Sequence, residues 1–108
     1  MNILLDDSGD ELLIRVLETR IDAAAAGQFK DSLRPHVAAP GPNIVMDLSR
    51  VDFLDSSGLG AVIALRKILP EGRLMRLAGL TPNVARVFRL TRMDLVFDIV
   101  SGPARCAG

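Results

Sequence analysis

The residues best placed to do chemistry lie together in Asp55-Ser56-Ser57-Gly58-Leu59-Gly60. A serine between an apolar stretch and a helix start has three uses. It can attack a substrate, help to hold a phosphate, or accept a phosphoryl group. Attack needs a base within hydrogen-bond reach. The sequence offers one histidine, His36, which reads as a loop residue beside Pro35 and ahead of Pro40-Gly41-Pro42. The Gly-x-Ser-x-Gly pattern of a nucleophile elbow is absent around Ser56. The glycines of Ser57-Gly58-Leu59-Gly60 could cradle a phosphate, but they lack the lysine of a P-loop and the third glycine of a dinucleotide motif.

Accepting a phosphoryl group asks for less. The first amides of a helix have no internal partner and point outward. The helix dipole adds about half a positive charge at that end. A phosphate on Ser56 is therefore stabilised where it stands. It adds ~1.5–2 negative charges and three strong acceptors without unfolding anything. Gly58 and Gly60 fall in the first turns of the same helix, where each costs roughly 1 kcal/mol against alanine. That cost suggests bare backbone is useful there, to a partner or to a neighbouring strand. Each feature alone is ordinary, since Asp and Ser are common caps; their conjunction is specific.

Alternating elements must position this stretch. Residues 2–5 and 12–17 are apolar runs around Asp6-Asp7-Ser8-Gly9-Asp10, and so predict a β-hairpin. Asp22 caps a helix starting in Ala23-Ala24-Ala25-Ala26. Its apolar face carries Ala25, Phe29 and Leu33, and Pro35 ends or kinks it. Ile44-Val45-Met46-Asp47-Leu48 reads as a strand buried on both faces, and Val51-Asp52-Phe53-Leu54 as a second short apolar stretch. The helix after Ser56 carries Leu59, Val62, Ile63, Arg66, Lys67 and Leu69, and stops at Pro70 and Gly72. Leu74–Ala78 is a further strand. Thr81-Pro82 opens a helix with Val84, Val87, Phe88 and Thr91 on one stripe, and Leu95–Val100 is the last strand. Hairpin, helix, strand, helix, strand, helix, strand predicts an α/β fold: about five strands in a mixed, mainly parallel sheet, with an antiparallel edge strand and helices packed against it.

Composition bounds the function classes. The chain has 108 residues, about the size of one domain. Its 13 basic and 13 acidic residues balance, which argues against direct nucleic-acid binding. The single Cys106 cannot form an internal disulfide. No apolar run approaches the ~20 residues of a membrane span, and the start turns acidic too early for a signal peptide. These observations predict a cytoplasmic protein, with no cofactor or metal implied. Residues 101–108 read as a frayed tail after a domain spanning 1–100.

The stretch Asp47-Leu48-Ser49-Arg50-Val51-Asp52-Phe53-Leu54-Asp55-Ser56-Ser57-Gly58-Leu59-Gly60 resembles the signature of STAS domains, above all bacterial anti-sigma factor antagonists. Arg20-Ile21-Asp22-Ala23 resembles the entry to that family's first helix, Arg73–Leu80 its later strand, and Val87–Asp94 its third helix and exit loop. The resemblance implies a phosphorylation-switched binding module rather than an enzyme. Ser56 is the implied target of a serine kinase that is also the anti-sigma factor. The unphosphorylated protein binds that kinase and frees the sigma factor, and a PP2C-type serine phosphatase resets the switch. Asp22, Asp55, Ser57, Gly58, Leu59 and Gly60 are implied to support the switch or meet the partner. STAS domains also serve as non-switching scaffolds in signalling or lipid-transport complexes, which is the competing implication. Two departures stand out. Many members carry a glycine two residues before the first-helix aspartate, and Thr19-Arg20-Ile21-Asp22 has none. The family's final helix looks short or missing after Val100.

Overall fold

The structure, a computed structural model, describes residues 1–7 and 9–100. Its elements in chain order are strands β1 (Ile3–Asp6), β2 (Leu12–Val16) and β3 (Arg20–Ile21), helix α1 (Ala23–Ala38), strands β4 (Ile44–Asp47) and β5 (Phe53–Leu54), helix α2 (Ser56–Lys67), strand β6 (Met75–Ala78), helix α3 (Pro82–Leu90), a 3-10 turn (Met93–Leu95) and strand β7 (Asp98–Val100). Five strands form one sheet in the order β1-β2-β4-β6-β7. β1 runs antiparallel to β2, with Ile3 opposite Val16. The β2–β4, β4–β6 and β6–β7 pairs are parallel. This is the mixed, mainly parallel α/β sheet expected. β3 and β5 form a separate two-stranded pair that the sequence did not announce.

Strand alternation sorts the sheet into two faces. Ile14, Val16, Ile44, Met46, Met75 and Leu77 point into the main core with the helix residues Phe29, Leu33, Leu65, Val84 and Phe88. Fully burying each such side chain contributes about 1.5–3 kcal/mol. Phe88 and Phe97 meet edge to face with centroids 5.6 Å apart. On the opposite face Leu13 and Ala78 form a small cluster with Val45. The Arg15–Asp47 pair, at 2.9 Å, shares that face with Arg76, which lies 3.2 Å from Asp98.

Several local expectations are corrected. α1 buries Ala26, Phe29, Leu33 and Val37, so its stripe begins at Ala26 rather than Ala25. Pro35 does not end the helix, which runs on to Ala38. Proline removes one backbone donor, and a side chain from elsewhere holds the last turn instead. Arg73, only 5% exposed, donates from Nη1 to the carbonyls of His36 (2.6 Å) and Ala39 (2.5 Å), and from Nε to that of Pro42 (2.6 Å). The guanidinium thus satisfies carbonyls that a helix C-terminus leaves orphaned, and its burial lowers its pKa below the ordinary arginine value. His36 consequently lies in the last turn of α1, exposed, rather than in a loop.

α2 ends at Lys67, so Leu69 falls beyond it. Thr81 occupies the N-cap position of α3 without a side-chain cap bond; its hydroxyl donates to the Val51 carbonyl at 2.7 Å. Thr91, expected on the buried stripe of α3, is its exposed C-cap. The run from Leu95 to Val100 is not one strand. Arg92 adopts φ 60°, which starts the 3-10 turn, and pairing begins only at Asp98. The tail expected over 101–108, and any element after Val100, lies outside the described residues.

Candidate functional site

The β3–β5 pair builds the site. Arg20 lies opposite Phe53 and Ile21 opposite Leu54, in parallel register. The amides of Asp52 and Phe53 both donate to the Thr19 carbonyl, at 2.8 and 3.2 Å. Each strand runs directly into a helix, so the pairing sets the starts of α1 and α2 side by side. The two helices then pack along each other, and their positive dipole ends emerge at one rim.

Two aspartates finish these helix starts. Asp22 caps α1, with Oδ1 accepting from the Ala25 amide at 3.2 Å. Asp55 caps α2, with Oδ1 accepting from the Gly58 amide at 3.0 Å. The second oxygen of Asp55 crosses to the other helix and accepts from the Ala23 amide at 3.1 Å. One carboxylate therefore satisfies first-turn donors of both helices. Such charge-assisted bonds are the stronger kind.

Ser56 is the first residue of α2 and is exposed. Ser57 follows it, also exposed and inside the helix; the cap is Asp55. Gly58 is buried, and a Cβ built there collides with the Ile21 carbonyl oxygen. The bare backbone at Gly58 therefore serves the approach of β3. Gly60 is different: a Cβ there meets nothing within 4 Å. Leu59 is 7% exposed and belongs to the core. The structure thus gathers Asp22, Asp55, Ser56, Ser57 and Gly58 at one rim, turns Leu59 inward and leaves Gly60 on the open side of α2.

The loop behind the site is held from below. Asp47 is 2% exposed. Its Oδ2 accepts from Arg15 Nε and its Oδ1 from the Ser49 amide, both at 2.9 Å. Gly79, at φ +69°, passes so close that a Cβ would lie 2.9 Å from Asp47 Oδ1. The bond from Thr81 to Val51 fixes the next part of the loop.

Arg20 is a site residue that the sequence did not single out by itself. Its guanidinium carbon stands 4.3 Å from the centroid of the Phe53 ring. Its Nε lies 3.6 Å from Asp22 Oδ2. The partner ring comes from 33 residues later in the chain (53 − 20), through pairing of two-residue strands, so no local pattern marks it.

His36 is not placed to serve Ser56 as a base. His36 sits at the far end of α1 from Ala23, about 20 Å away at 1.5 Å per residue. Among the described residues no cluster of His, Cys, Asp and Glu could hold a metal ion. A groove of about 540 Å³ is lined by residues including Leu80, Ala85, Arg89 and Phe97, and contains none of Asp22, Asp55 and Ser56. The site is an exposed Ser56 at a helix start that Asp55 ties to the start of α1, which Asp22 caps.

A family model described as the STAS domain matches residues 4–103. The chain belongs to the STAS domain family. It is similar to the anti-sigma-B factor antagonist of Bacillus subtilis, 30% identical over 101 residues covering 92% of each chain. A solved anti-sigma factor antagonist from Mycobacterium paratuberculosis superposes with a TM-score of 0.82 at 28% identity, covering 91% of this chain and 83% of the other. The phosphorylated form of the Bacillus cell fate determinant SpoIIAA shares the fold, with a TM-score of 0.68 at 19% identity over 94% of this chain and 91% of that one. In this STAS domain the position two residues before the first-helix aspartate is Arg20, which pairs in β3 and lies over Phe53. No helix among the described residues is long and apolar enough to cross a membrane.

Proposed function

We propose that this STAS domain is an anti-sigma factor antagonist whose binding state is set by phosphorylation of Ser56. The unphosphorylated domain binds an anti-sigma factor serine kinase, and the sigma factor is released. Phosphoryl transfer from ATP to Ser56 Oγ yields ADP, sends the hydroxyl proton to the kinase, and ends the complex. A PP2C-type phosphatase restores the hydroxyl. In this reading the domain acts in the cytoplasm as a substrate and binding partner, and it catalyses nothing itself.

The observation that carries the reading is the placement of Ser56: exposed, first in α2, beside a carboxylate that ties both helix starts. A phosphate there gains favourable helix-end electrostatics and needs no rearrangement. The change is one of surface charge, and a partner fitted to a neutral hydroxyl loses its fit. That relatives of this size are antagonists, and that a protein of this fold has been solved in phosphorylated form, supports the same reading.

Incubation with ATP and the candidate kinase, followed by mass mapping, is the test. One phosphate on Ser56, absent from Ser56→Ala and retained in Ser57→Ala, is the expected result. Ser56→Ala binds the kinase and is never released; Ser56→Glu binds poorly because it places charge at the same point. Equal kinase affinity for both variants would refute the electrostatic switch. A phosphate lost in Ser57→Ala and kept in Ser56→Ala would move the site by one residue. No phosphate with any kinase would leave a STAS scaffold.

A further inference from the structure

We infer that Arg20 is the residue that receives the phosphate once it stands on Ser56, with Phe53 as the platform that holds the arginine ready. The inference rests on reading Ser56 as the phosphorylated residue. The ligand class is a phosphate monoester dianion, carried by the chain itself.

Three features of Arg20 point this way. It is at the rim: β3 pairs with β5 so that Arg20 sits opposite Phe53, and each strand then runs within two residues into the helix start that carries Asp22 or Asp55. It is oriented: the guanidinium carbon lies 4.3 Å from the Phe53 centroid. The ring restrains the guanidinium by a cation–π contact, and a guanidinium can grip phosphate oxygens two at a time. It is also weakly committed. The 3.6 Å between Nε and Asp22 Oδ2 exceeds a hydrogen bond, and the Arg20 side chain is 59% exposed.

Asp22 is the present partner, and a phosphate displaces it on charge. A carboxylate carries one negative charge, and Asp22 already accepts from the Ala25 amide. A phosphoserine carries ~1.5–2 negative charges and three acceptor oxygens. Asp22 and Asp55 flank the position, with Asp52 and Arg50 on the adjoining loop. Arg20 is a cation that β3 seats at this rim, next to the Asp22 cap. Capture of the phosphate by Arg20 has a consequence for regulation. The phosphatase must draw the phosphate away from a guanidinium, so Arg20 sets how long the phosphorylated state lasts.

The test bypasses the kinase. Phosphoserine is encoded at position 56 during translation, and the phosphate is titrated by phosphorus NMR in the wild-type background and in Arg20→Gln, Arg20→Lys and Phe53→Leu. The wild-type phosphate should lose its second proton about half a unit or more below the Arg20→Gln protein, since a nearby opposite charge favours the charged form. Arg20→Lys should fall between them, and Phe53→Leu should move part of the way towards Arg20→Gln. Equal titration of wild type and Arg20→Gln, with unchanged amide spectra, would overturn the assignment. Should Arg20→Gln fail to fold, Phe53→Leu decides by the same readout: a titration equal to wild type overturns the platform and its arginine together. Failure of every kinase to modify Ser56 would sink the proposed function, and this titration would still report on Arg20.

Discussion

Alanine at Gly58 and alanine at Gly60 should have opposite effects, although the same change is made on one helix two residues apart. Glycine costs roughly 1 kcal/mol against alanine in a helix interior, so propensity alone favours both substitutions by up to that amount. At Gly60 a Cβ meets nothing within 4 Å, and the gain should survive in the free protein. At Gly58 the Cβ collides with the Ile21 carbonyl oxygen, and the Ile21 Cγ2 is only 3.1 Å away. Backbone cannot rotate aside as a side chain can. α2 and β3 must separate, at an overpacking cost of about 1–3 kcal/mol. The separation also pulls Asp55 from the Ala23 amide, which it holds at 3.1 Å, and capping bonds contribute ~1 kcal/mol. The net expectation for Gly58→Ala is a loss of about 2 kcal/mol, or a fall in Tm of about 10 °C for a domain of this size. Urea unfolding and thermal melting of both variants provide the measurement. A Gly58→Ala protein as stable as wild type would refute the close approach of β3 and with it the account of how the two helix starts are set. Gly60→Ala should keep or raise stability. If it weakens kinase binding nonetheless, the bare backbone at Gly60 is a partner contact.

Two further perturbations test the frame around the site. Asp55→Ala should speed amide hydrogen exchange at both Ala23 and Gly58 and cost about 1–3 kcal/mol, whereas Asp55→Asn should retain most of the stability; faster exchange on α2 alone would show that the bond across to α1 contributes nothing. Arg73→Ala should cost about 3 kcal/mol or more in urea unfolding, because it leaves several carbonyls at the end of α1 without a donor, and Arg73→Lys should recover part of that; an Arg73→Ala protein of wild-type stability would show that α1 ends without help.

The parts legible in the sequence were those that local rules govern. Ile44–Asp47 and Met75–Ala78 announced themselves as short apolar strands, and Asp22 as a cap before a helix; Asp55, Ser56 and Ser57 could each have capped α2, and the structure gives that place to Asp55. The parts not legible depend on distant partners. Arg20–Ile21 is too short to show any period, and it becomes a strand only because Phe53–Leu54 lies beside it. Pro35 reads as a helix stop; what carries α1 past it is Arg73, more than thirty residues on. Leu95-Val96-Phe97 has the composition of a strand, but after the left-handed Arg92 the chain forms a 3-10 turn over Met93–Leu95, and Val96 and Phe97 complete the bend that precedes β7. At the candidate site, the helix start at Ser56 could be read from its flanks. That Asp55 also serves the other helix, and that Gly58 faces Ile21 while Gly60 faces open space, required the tertiary structure.

The Asp55–Ala23 bond joins residues 32 positions apart. The serine and its surroundings therefore do not travel together in the chain. A nascent or unfolded copy carries Ser56 with its flanking residues intact, yet lacks the second helix end and the Asp22 cap that Asp55 brings alongside. The rim is an address written only by the completed fold. A kinase that reads that address ignores chains still being made, and the signal counts finished molecules.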